Sequence, residues 1–75
     1  MRILLQHVRT NLYFCLLDIW VKDPRAAFDF RHSQRAMDFV RSQDLREVQL
    51  VVKFEDPQWD EVVPLHSGQL AALTA

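Results

Sequence analysis

A chain of 75 residues has room for one domain around one core, since at that size folding removes only roughly 60% of the unfolded chain's surface from water. Nine basic residues against ten acidic ones leave a net charge of −1, which argues against a polyanion binder working through bulk electrostatics. With 49% apolar residues, one glycine (Gly68) and one cysteine (Cys15), the chain is neither disordered nor stapled by internal disulfides, and it reads as a domain of the reducing cytoplasm.

The opening MRILLQHVRTNLYFCLL is interrupted by His7, Arg9 and Asn11 and does not read as a secretory signal. Its longest uncharged run, residues 10–17, is far short of the roughly 20 apolar residues of a membrane span. Residues 2–8 predict a strand, because Ile3, Leu4, Leu5 and Val8 are aliphatic. Arg9, Thr10 and Asn11 then supply a turn, Asn11 being the residue that most easily takes a left-handed backbone. In residues 12–21 the odd positions Tyr13, Cys15, Leu17, Ile19 and Val21 are all apolar, and Asp18 interrupts the even ones. The odd face is therefore expected against the core, with one strand or two short ones broken at Asp18.

Asp23-Pro24 predicts a helical start, the carboxylate accepting from unpaired backbone N–H groups and the proline giving up a donor that has no partner there. A kink is expected over residues 28–31. Ser33 is then a candidate cap for a main helix over residues 34–42, with Ala36, Met37, Phe39 and Val40 as its apolar stripe. Residues 47–55 alternate cleanly, Val48, Leu50, Val52 and Phe54 against Gln49, Lys53 and Glu55, which predicts a half-buried strand. Asp56-Pro57 begins a turn, and residues 61–65 can return as an edge strand that tolerates Pro64. The expected fold is α+β: a two-layer ββαβ(β) domain over residues 1–65 with an antiparallel sheet and one helix on one face, followed by a flexible tail over residues 66–75.

Chemistry-bearing residues are sparse. His7, His32, His66 and Cys15 have none of the close spacings of a metal site, so no metal or cofactor is expected, and Cys15 on an apolar face reads as a buried inert thiol. The acids of EDPQWDE read as a solvated turn. Leu4, Val8, Leu16, Trp20 and Val51 are apolar residues beyond what one helix covers, and they predict a second sheet face that self-associates into a homodimer. The competing surface is Arg25, Arg31 and Arg35 with Phe28 and Phe30 among them, a pattern suited to phosphate or single-stranded nucleic acid. Arg31 and Arg35 are four apart and Asp38 lies three from both Arg35 and Arg41, so intrahelical pairing is the ordinary explanation.

The order Trp20, Asp23, Ala27, Phe28 or Phe30, Ala36 and Phe39, followed by the strand of residues 48–54, resembles a pattern in small bacterial and phage proteins of unknown function. The resemblance covers about half the chain and implies the strand–helix–strand order, with no activity attached. The expectation is a non-catalytic interaction module, the other alternative being an enzyme whose site forms between subunits beside His7 or Asp18.

Overall fold

The computed structural model describes residues 1–65, so the expected tail lies outside the described residues. Five strands form one sheet: β1 (Arg2–His7), β2 (Tyr13–Leu16), β3 (Ile19–Val21), β4 (Val48–Lys53) and β5 (Glu61–Pro64). Among the described residues a single α-helix, α1 (Ser33–Ser42), lies between β3 and β4 in the chain, and one-turn 3-10 segments occupy Pro24–Ala26 and Pro57–Trp59. The order across the sheet is β3-β2-β1-β4-β5, with every neighbouring pair antiparallel. The fold is thus the expected two-layer α+β domain, with residues 12–21 split into two strands at Asp18, where the backbone turns at φ 62. Among the described residues no helix is long and apolar enough to cross a membrane.

The core lies between the sheet and α1. Ile3 and Leu5 of β1, Val48 and Leu50 of β4, and Ala36 and Val40 of α1 are buried together, which is the stripe-on-strand packing that both periodicities predict. The face that β2 and β3 present to this core is the reverse of the expected one. Gln6 pairs with Tyr13, and Tyr13 with Val21, so Phe14 and Trp20 lie under the helix while Tyr13 and Val21 lie on the other face. Residues 12–21 are apolar at both parities, so periodicity cannot choose a face; the turn after β1 chooses it. His7 N–H donates to Leu12 O at 2.8 Å and Asn11 N–H to His7 O at 2.8 Å, fixing the register and with it every side chain's face.

The second face is also not the bare surface expected. Leu4 and Val51 are 0% and 4% exposed, covered by Ala27 together with Tyr13 and Val21. The cover comes from the segment after β3. Asp23 caps the Pro24–Ala26 turn, accepting from Arg25 N–H at 2.9 Å. The Arg2 guanidinium holds the turn down, donating to Pro24 O at 2.8 Å and Ala27 O at 2.7 Å.

From Ala27 the chain passes to the helix side. Phe28 N–H donates to Phe14 O and Phe30 N–H to Ile3 O, both at 2.9 Å. The Asp29 carboxylate accepts from Ile3 N–H at 3.0 Å and from Arg31 N–H at 2.8 Å. Residues 28–30 therefore satisfy backbone groups of both β1 and β2 where those strands part, and Phe30 enters the main core. What reads in sequence as a kink is a crossing from one face of the sheet to the other. Arg31 turns the chain at φ 69, and α1 begins at Ser33 with His32 at the capping position and no side-chain cap. The expected Ser33 cap is replaced by the turn that Asp29 organises.

Candidate functional site

The crossing leaves a groove at the end of the sheet where β2 turns into β3. It has a volume of about 630 Å³ and is walled by residues 14–17 of β2 and its turn, residues 28–31 of the crossing, and Arg35 and Phe39 of α1. Four phenylalanines form its base. Phe14 and Phe39 lie 4.9 Å apart between ring centroids, and Phe28 meets Phe30 edge-on at 4.8 Å and 75°. These contacts follow from the fold: Phe14 faces the helix through the β1–β2 register, and Phe39 lies on the stripe of α1. Phe28 and Phe30 bracket Asp29, whose carboxylate is committed to the backbone.

Three charges border this apolar base. Burial pushes the Asp29 carboxyl up, but the backbone bonds from Ile3 and Arg31 and the charges of Arg2 and Arg31 outweigh it, so it is held below the usual carboxylate range. Arg31 and Arg35 enter none of the five ion pairs formed among the described residues. With two guanidiniums and one carboxylate, 2 − 1, the groove carries one positive charge. Arg25 does not join them. Its guanidinium forks onto Asp23 at 3.1 Å, and it does not line the groove. Asp38, three residues from both Arg35 and Arg41, pairs with Arg41 at 2.8 Å, and Arg35 enters no ion pair among the described residues.

The five residues expected as one association surface are dispersed. Leu4 and Val51 are buried on the second face. Trp20 packs against the main core, edge-on to Phe14 at 5.7 Å and to His7 at 5.9 Å. Val8 is 44% exposed at the opposite end of β1, beside a smaller hollow of about 360 Å³. Of the five, Leu16 alone borders the aromatic groove. Exposed apolar side chains lie instead at the β2–β3 turn, where Leu16, Leu17 and Ile19 are 58%, 67% and 47% exposed, and around β5, where Trp59, Val62 and Val63 are 63%, 53% and 41% exposed.

Chemically the groove is suited to holding a ligand. Its lining has no histidine, and Cys15 is half-buried rather than enclosed as expected. Among the described residues no three metal-ligating side chains gather. The acids of the β4–β5 connection are structural: Asp56 accepts from Gln58 N–H at 3.2 Å, and Asp60 accepts from Lys53 at 2.6 Å and from Phe54 N–H at 2.9 Å. Sequence reasoning found the ingredients, Phe28, Phe30, Arg31 and Arg35, but not their arrangement, which depends on where β1 and β2 separate. Comparison with known protein families, curated proteins and solved structures finds no match to this chain.

Proposed function

We propose that this chain is a small cytoplasmic interaction module, without chemistry of its own, that self-associates into a homodimer through the end of the molecule where the aromatic groove opens. The observation that carries this reading is a gathering of apolar surface. Leu16, Leu17 and Phe28 are 58%, 67% and 46% exposed, and all three border the groove. Apolar surface concentrated in this way on a small domain usually marks an association site. Burying it would add to a core that at this size supports on the order of 4 to 11 kcal/mol. The free Cys15 thiol suits a reducing compartment. Light scattering on the full chain should report a dimer at high micromolar concentration, and Leu17→Lys, at a turn position that needs no burial in the monomer, should give a monomer with an unchanged circular dichroism spectrum. A monomeric wild-type chain at that concentration refutes the reading.

A second reading, binding of phosphate or single-stranded nucleic acid, is favoured by one observation: the unpaired Arg31 and Arg35 lie beside four phenylalanines. Bases stack on aromatic rings and guanidinium planes, and arginines neutralise phosphates. It predicts oligonucleotide binding that weakens with salt and is lost in Arg31→Ala/Arg35→Ala. The net charge of −1 and the commitment of Arg25 to Asp23 favour the first reading.

A further inference from the structure

Resting on the self-association reading, we infer that the occupant of the groove is the β2–β3 turn of a second copy: Leu17 enters the aromatic base, and the Asp18 carboxylate meets Arg31 and Arg35 of the partner subunit. The turn has the chemistry that the groove lacks. Leu17 is 67% exposed, and Asp18, the next residue, enters none of the ion pairs formed among the described residues. One carboxylate against a groove carrying one positive charge gives a neutral contact, which removes the penalty of burying unpaired guanidiniums.

Asp18 does not reach the groove of its own subunit, although Leu16 and Leu17 of the same turn wall it. Leu16 pairs with Ile19 across the turn, so Asp18 is held at a tight reversal with no slack to fold back. Knob and hole nevertheless lie at the same end of one molecule, since Leu16 and Leu17 form part of the groove's own rim. A two-fold axis can therefore satisfy both at once, each copy's turn entering the other's groove, and such a contact closes at two copies and does not propagate.

Sedimentation equilibrium of the full chain tests this with charge exchange. Asp18→Arg and the double variant Arg31→Glu/Arg35→Glu each set like charges against each other in both contacts, so each alone should be monomeric. Mixed one to one, every contact again joins opposite charges, and the dimer should return. Asp18→Asn, which keeps a residue at ease with positive φ, guards against misfolding of Asp18→Arg; it should weaken association on the order of fivefold. Wild-type association should also weaken with added salt. If the wild type dimerises while Asp18→Asn is indistinguishable from it and the mixture gains nothing over its components, the turn-in-groove contact is overturned and the self-association reading stands. A monomeric wild type overturns both, and if that monomer binds a single-stranded oligonucleotide through Arg31 and Arg35, the occupant is nucleic acid.

Discussion

Asp29 shows how one side chain can stand in for several backbone partners. Its carboxylate accepts from Ile3 N–H, on the central strand, and from Arg31 N–H, at the entry to α1, so it ties the crossing to both layers. Arg2 does the matching work for the carbonyls of the Pro24–Ala26 turn. Burial raises the Asp29 pKa, but the two backbone bonds and the nearby arginines bring it below its ordinary value. The unfolded chain thus takes up a proton near pH 3.9, before the folded one does. The stabilisation from Asp29 is whole above that pH and is lost as pH falls through the lower folded value. Asp29→Asn keeps an acceptor for both N–H groups but cannot titrate, so its urea midpoint should vary less between pH 5 and pH 3 than that of the wild type. Asp29→Ala strands both donors and should cost about 1 to 3 kcal/mol at neutral pH. An equal acid dependence in wild type and Asp29→Asn would show that other carboxylates govern the acid limb.

At the scale of the element, a chain whose only glycine is Gly68 must make its left-handed turns on residues with a Cβ, asparagine and aspartate tolerating positive φ better than arginine or glutamate. Asn11, Asp18, Arg31, Asp44 and Glu47 all adopt it, and each closes or opens an element. Asp44 is the clearest case. Leu45 N–H donates to Val40 O at 2.9 Å and Asp44 N–H to Arg41 O at 3.2 Å, the paired closure of a Schellman end in which the left-handed residue is usually glycine. Leu45 then packs against the core. Asp44→Gly should relieve the left-handed strain at the loss of only a 3.7 Å surface pair with Arg46, raising stability by about 1 kcal/mol. Chemical denaturation reads this directly, and a lower midpoint would mean that the pair with Arg46 and the greater freedom of glycine in the unfolded chain outweigh the backbone strain.

The same elements separate what the sequence reveals from what it conceals. Asn11 as a turn residue, Asp23-Pro24 as a capped start, the Ala36/Phe39/Val40 stripe and the alternation of β4 are local, and all were legible. The face of β2 was not, because Phe14, Leu16 and Trp20 compete on equal terms with Tyr13, Cys15 and Val21 until the β1 register decides. Nor was the crossing of residues 28–30, since nothing in FDF announces that β1 and β2 part there. The candidate groove was half-legible for the same reason. Its arginines and phenylalanines could be listed together from sequence, whereas the neutralisation of Arg25 by Asp23 and the exposure of Leu17 required the fold.

For the whole molecule, the consequence is a gradient of stability across the sheet. β1 pairs with β4 over six residue pairs, from Arg2↔Lys53 to His7↔Val48, and Ile3, Leu4 and Leu5 are buried on both faces. β3 has three residues and β5 is exposed throughout. Since opening free energies follow local burial and pairing, amide exchange should be slowest at Leu4, Leu5, Leu50 and Val51, and fastest in β5 and at the β2–β3 turn. Self-association should reverse the second part of that ranking alone. A turn seated in a partner's groove would lose its fast exchange as protein concentration rises, with Leu17, Asp18 and Phe28 gaining protection together while β5 stays open. The two halves of the contact belong to different elements, so their joint, concentration-dependent protection would separate docking at this end from pairing along the β5 edge. Protection gained by β5 instead would transfer the interface to that edge.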